Sequence, residues 1–331
     1  MRSKILITIL LVALLGAAVW FGIRAFFSLS EAGTPKVTVP YTAEAYTYAG
    51  GQDQGFPELS LAKDLCVGED NTGNGLSELT GKSSGALFSL EEKTIPFSRN
   101  LYKRVYPASI TKLMTAILVL EHGNLEETVT IAAEDLDLEE GSQMTGFQEG
   151  DRVTLGDLLY AILIKSGNDA AMAAARHVAG NTQLFVRSMN DKLRAIGATG
   201  SHFVNPTGLH DENHYTTVYD IYLMLHTAAG YDTFLDIIRF ASYDIPVTRK
   251  DGSLAKLRLD STDSYITKAV TPPRDVKVLG GKTGTTSVAG HCLALLSQNA
   301  FGQLYISVLV GEPSADSLYS DMNMLLSATN G

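Results

Sequence analysis

Pro107-Ala108-Ser109-Ile110-Thr111-Lys112-Leu113-Met114-Thr115-Ala116 is the stretch on which the fold turns. Ser109 and Lys112 stand three residues apart, just behind a proline, at the head of an apolar helical run. Positions i and i+3 share a helix face, so the amine can lie beside the hydroxyl. A serine hydroxyl is a weak nucleophile until a neighbouring base takes its proton. A buried lysine can be that base, because desolvation or a second nearby cation lowers its pKa.

Two further motifs lie downstream, Ser166-Gly167-Asn168 and Lys282-Thr283-Gly284, 57 and 173 residues beyond Ser109. Each alone is weak, since a Ser-x-x-Lys tetrapeptide more often sits on a solvated helix surface. Order and placement carry the signal: a helix start, a turn between two helices, and the end of a strand-like segment at 276–280. The trio is the set found in class A β-lactamases and penicillin-binding proteins.

From about residue 84 to 331 the chain resembles the low-molecular-weight penicillin-binding proteins of the serine D-alanyl-D-alanine carboxypeptidase type, peptidase S11-like. Gly141-Ser142-Gln143-Met144, Glu149-Gly150-Asp151, Asn205-Pro206-Thr207-Gly208-Leu209 and Gly281-Lys282-Thr283-Gly284-Thr285-Thr286 also fit that family. Ser166-Gly167-Asn168 has its form, whereas class A β-lactamases usually carry Asp in the middle. The resemblance implies a nucleophile, Ser109, that attacks a terminal D-Ala-D-Ala peptide, with Lys112 as its base. It implies that Ser166 relays a proton to the leaving amine beside Lys282, and that Asn168 holds Lys112. The oxyanion would lie between the Ser109 and Thr285 N–H groups. Lys282, Thr283, Gly284 and Thr285 would bind substrate. The implied partners are peptidoglycan stem peptides, with β-lactams as covalent inhibitors, and no cofactor or metal is implied. A D,D-endopeptidase, a β-lactamase of the same fold and a non-catalytic penicillin sensor stay open as alternatives. Glu212, in Asp211-Glu212-Asn213-His214, lacks the Glu-x-x-Leu-Asn form of a deacylating glutamate and reads as a surface loop.

The pattern of elements is α+β. Hairpins are expected at 85–97 and 292–310, and helices at Ile110–Glu121, Leu155–Leu163, Ala170–Ala179 capped by Asp169, Thr182–Ile196, from Thr216 or Thr217 to about Gly230, and Ser314–Ser327. This predicts one antiparallel sheet of about five strands built from both ends of the domain, with a helical cluster between: a β-lactamase/transpeptidase-like architecture.

The 331 residues are 45% apolar and 19% charged, which is a globular composition. A net charge of −10 without a basic tract argues against a nucleic-acid partner. Residues 5–23 are almost uninterrupted apolar behind Arg2 and Lys4. That predicts a membrane anchor or a signal peptide over 1–28, a linker over 29–57, and a catalytic domain over 58–331 on the extracytoplasmic face of a bacterial membrane. The anchor would stand in for the C-terminal amphipathic helix common in the family. The 68–82 stretch reads as an insertion with no assigned role. Cys66 and Cys292 could pair outside the cytoplasm, but Cys292 reads better as a small core residue. His202, His210 and His214 do not make an H-E-x-x-H motif, and Pro206 and Gly208 argue for a loop rather than a zinc helix.

Overall fold

Residues 64–73, 79 and 83–330 are described by the structure, a computed structural model. The anchor-or-signal segment, the 29–57 linker and much of the 68–82 stretch lie outside them. No helix among the described residues is long and apolar enough to cross a membrane.

The chain runs β1 (Ser84–Ser89), β2 (Thr94–Arg99), a 3-10 turn (Ala108–Thr111), α1 (Lys112–His122), β3 (Thr128–Thr130), α2 (Ala133–Leu136), β4 (Arg152–Thr154) and α3 (Leu155–Tyr160). A π-helical turn (Ala161–Lys165) leads to α4 (Asn168–Ala179), α5 (Thr182–Ala195), α6 (Val218–Ala228) and α7 (Asp232–Ile238). Then come β5 (Ser242–Thr248), β6 (Leu254–Asp260), β7 (Lys277–Thr286), β8 (Gly290–Gln298), β9 (Leu304–Glu312) and α8 (Ala315–Ser327).

Five antiparallel strands form the main sheet in the order β2-β1-β9-β8-β7, so the two ends of the domain meet in it. Its central strands are apolar on both faces because both are covered. Ala86, Phe88, Ala294, Leu296, Ile306 and Val308 join the helical core, while Leu87, Leu293, Leu295 and Leu309 pack with Leu318, Met322, Leu325 and Leu326 of α8. Helix α1 is buried nearly all round, through Leu113, Met114, Ala116, Ile117, Leu118 and Val119, as a central core helix must be.

The structure departs from the sequence-based expectation in several places, the short helices α2 and α7 among them. A second, four-stranded sheet, β3-β4-β5-β6, stands beside the first. The helix expected over Leu155–Leu163 gives way to a π turn at Ala161, although Thr154 caps it by accepting from the Asp157 N–H (3.0 Å). Asp169 is not a cap. It sits in the first turn of α4, buried, and its carboxylate accepts from the Thr145, Gly146 and Ala170 N–H groups. The Lys-Thr-Gly motif lies inside β7 rather than beyond it.

The segment ahead of β1 is stitched to the domain. The Asp70 carboxylate accepts from the Leu101 N–H (2.7 Å), and the Cys66 N–H donates to the Tyr222 hydroxyl (2.8 Å). Cys66 and Cys292 are both free and buried.

Candidate active site

Three segments converge on two buried amines. The 3-10 turn presents Ser109 and passes directly into α1, so Lys112 begins a deeply buried helix of the core and is itself 0% exposed. Its Nζ lies 3.1 Å from Ser109 Oγ, 2.6 Å from Asn168 Oδ1 and 2.7 Å from the Thr207 carbonyl. The π turn ends with Ser166 in the left-handed region (φ 62°), and α4 starts two residues later, so one short segment places Ser166 and Asn168 side by side. π turns recur at functional sites because they re-aim side chains. From β7, Lys282 (1% exposed) donates to Ser166 Oγ and to the Thr283 carbonyl, both at 2.9 Å.

Burial pushes the Lys112 amine well below the ordinary lysine range; the Lys282 charge pushes it further, against the opposing pull of Asp169. Burial also lowers Lys282, to about 7, with Asp263 resisting. A neutral amine has two N–H bonds and one lone pair. The Asn168 Oδ1 and the Thr207 carbonyl can only accept, so they take both N–H bonds of neutral Lys112. Its lone pair is left facing the Ser109 hydroxyl. That is the orientation a base needs to draw a proton from serine.

Glycines let the segments close up. A Cβ on Gly284 would lie 3.0 Å from the Ser109 N and from the Pro107 carbonyl, so glycine lets β7 close against the nucleophile turn without pushing its backbone away. Thr283 is half-buried and its hydroxyl bonds that of Thr262; Thr285 is exposed, with its hydroxyl 3.4 Å from His291 Nδ1.

Several site groups escaped the sequence reading. The Thr207 carbonyl is aimed by Asn205, whose Oδ1 accepts from the Thr207 and Gly208 N–H groups and the Thr207 hydroxyl. A backbone carbonyl has no residue-type signature, although Asn-Pro-x-Gly did announce a tight turn. Asp263, 4% exposed, is raised to about 6 by burial and lies close enough to hold charge on Lys282.

The three histidines part company. His214 is buried between Phe203 and Thr111, His202 Nδ1 pairs with the Asn213 carbonyl, and His210 meets the Tyr106 ring edge-on. Among the described residues no cluster of three His, Cys, Asp or Glu could hold a metal ion. Glu212 is exposed and lines a surface groove of about 260 Å³ with Arg104, Tyr106 and Tyr215.

The two sheets, the helical cluster and a Ser-x-x-Lys turn facing Ser-x-Asn and Lys-Thr-Gly define a β-lactamase/transpeptidase-like protein of the active-site serine class. The D-alanyl-D-alanine carboxypeptidase family profile (peptidase S11) matches residues 87–314, and the chain belongs to that family. It is 29% identical over 247 residues to D-alanyl-D-alanine carboxypeptidase DacF of Bacillus subtilis, covering 72% of this chain and 59% of that protein. It is 30% identical over 220 residues to a D-alanyl-D-alanine endopeptidase of Pseudomonas aeruginosa, covering 64% of this chain and 66% of that one. The chain thus spans about three fifths to two thirds of these relatives. The crystal structure of the Streptomyces K15 DD-transpeptidase superposes with a TM-score of 0.68 at 24% identity, over 73% of this chain and 94% of that one, a likeness of fold.

Proposed function

We propose that this protein is a serine D-alanyl-D-alanine carboxypeptidase that trims the terminal D-Ala from peptidoglycan stem peptides. The observation that most supports this is the Lys112 amine, dry and held by two acceptors with its lone pair towards Ser109. Lys112 takes the Ser109 proton as Oγ attacks the penultimate carbonyl carbon. The tetrahedral oxyanion is received by the Ser109 and Thr285 N–H groups, a type of contact worth roughly 3 kcal/mol of barrier per donor. The C–N bond then breaks. The departing D-Ala nitrogen takes a proton from the Ser166 hydroxyl, which Lys282 resupplies across 2.9 Å. Lys282 and Thr283 hold the terminal carboxylate, which an acidic protein must receive through local positive charge. Water then attacks the Ser109 ester, and the shortened peptide leaves. β-Lactams enter by the same attack and leave a slower ester. The apolar run 5–23 behind Arg2 and Lys4 supports a location for this chemistry on the extracytoplasmic side of the cell membrane.

Labelling of intact cells with a fluorescent penicillin, followed by release assays, tests the reading. Ser109 should carry the label in the membrane fraction, and the purified full chain should free D-Ala from a D-Ala-D-Ala peptide. Ser109→Ala should abolish both. A chain that cuts cross-linked dimers yet frees no D-Ala is an endopeptidase, the reading that the Pseudomonas aeruginosa relative's name keeps open. Fast penicillin turnover would make it a β-lactamase.

A further inference from the structure

We propose that His214 is a positioning residue that aims the Ser109 N–H, acting through Thr111 and the Ala108 carbonyl. This rests on Ser109 being the nucleophile and deepens that reading.

The relay can be followed atom by atom. The Val204 N–H can only donate, and it lies 3.2 Å from His214 Nδ1, so Nδ1 is the acceptor. A neutral imidazole then carries its hydrogen on Nε2. Nε2 stands 2.8 Å from Thr111 Oγ1 and donates to it. That leaves the Thr111 hydroxyl hydrogen free to donate to the Ala108 carbonyl at 2.9 Å. The Ala108–Ser109 peptide is trans, so its C=O and N–H point in opposite directions from one rigid plane. Holding the Ala108 oxygen therefore holds the Ser109 N–H.

Three observations give the relay a purpose. Ala108 is a non-glycine residue at φ 47°, a conformation that persists only where its surroundings enforce it. Among the described residues the Ser109 N–H has no acceptor, and the space beside it is kept open by Gly284, whose Cβ would stand 3.0 Å from that nitrogen. His214 is 2% exposed, its ring stacked on Phe203 with centroids 4.7 Å apart, and its hydrogen bonds go to the Val204 N–H and the Thr111 hydroxyl. Burial lowers its pKa to about 3, so the tautomer holds throughout the working pH range. The histidine that the sequence reading rejected as a metal ligand sets the direction of one backbone donor.

A peptide plane that tilts weakens the oxyanion contact without altering the ground-state pocket. The test therefore separates initial binding from acylation in the full-length protein, and adds a boronic acid that forms a tetrahedral adduct on the serine. His214→Phe keeps the stacked ring and removes the relay; Thr111→Val breaks the next link. Each should slow acylation by a fluorescent penicillin by about ten- to a hundred-fold and weaken the boronate adduct in step, a part of the roughly hundred- to thousand-fold that outright loss of one oxyanion donor costs. The non-covalent dissociation constant should stay within about two-fold. The double variant should lose no more than either single one. His214→Gln, whose Nε2 can still donate to Thr111, should recover most of the rate. If His214→Phe is folded and acylates as fast as the wild type, or if His214→Gln is as slow as His214→Phe, the relay is wrong. A wild type that is never acylated would instead overturn the nucleophile assignment, and the relay with it.

Discussion

An exposed lysine keeps its proton to about pH 10.4, and burial is what brings Lys282 down to about 7. In the proposed reaction Lys282 works as an ammonium, since it feeds Ser166 and faces a carboxylate, whereas Lys112 works as a free amine. The profile of kcat/KM reports the free enzyme. It should rise as Lys112 loses its proton and fall through about pH 7 as Lys282 loses its own. Asp263 sets the second limb. Its Oδ1 accepts from the Tyr265 N–H at 2.9 Å, while Oδ2 is buried without a hydrogen bond, and its negative charge opposes the loss of the Lys282 proton. Asp263→Asn keeps an acceptor at Oδ1 and removes the charge, so the falling limb should move below pH 7. D-Ala release measured from pH 5 to 9 reads this directly; a limb that stays in place would free Lys282 of the acid role. Sequence alone pointed to the two lysines through their motifs. Asp263 belongs to no motif, and its importance comes from desolvation that only the fold creates.

Among the elements, six of the eight helices in the described residues were legible because their ends are written locally, whereas the short α2 and α7 were not. Thr217 and Ser314 cap α6 and α8, and Gly180 in the left-handed region closes α4. The second sheet was not legible. Strands β3 and β4 are three residues each, and β4 meets β5 across nearly a hundred residues of chain. The alternation in β5, with Ile245 and Val247 buried between exposed neighbours, is clear only once its partner is known. The loop carrying Gly208 was recognised as a turn, but not as the clamp over the nucleophile turn. Gly208 has φ 83°, and a Cβ there would lie 1.9 Å from the Ala108 carbonyl oxygen. Gly252, in the β5–β6 turn, has a similar φ of 86° with nothing within 4 Å. The two separate strain from collision. Gly252→Ala should cost only left-handed strain, about 1 kcal/mol in urea unfolding. Gly208→Ala should cost about 2–4 kcal/mol, because overlap adds to strain, and should slow acylation as well. Equal costs at the two sites would show that the Gly208 loop yields freely and does not clamp Ser109.

At the scale of the whole molecule, two dry amines make folding stability rise with pH where most acidic proteins change little. The unfolded chain binds protons on both lysines up to about pH 10.4, while the folded chain has released that on Lys282 by about 7, and burial holds the Lys112 amine well below the ordinary lysine range too. Between those limits the unfolded state carries more protons, so raising the pH stabilises the native state, at a slope approaching about 1.4 kcal/mol per pH unit for each lysine. The window closes above pH 9, where Cys292, pushed up to about 12 by burial, starts to oppose the trend: its thiol ionises first in the unfolded chain. Below neutrality the signs differ again. His214, at about 3, withdraws stability as pH falls through 6.5, whereas Asp263, at about 6, returns some between 6 and 3.8. Urea unfolding at pH 7.0 and 8.5 should therefore give a higher midpoint at 8.5, and Lys282→Met should remove about half of the increase. A midpoint that is flat or falls over this interval would mean that both lysines stay charged in the folded protein, and a charged Lys112 could not take the Ser109 proton.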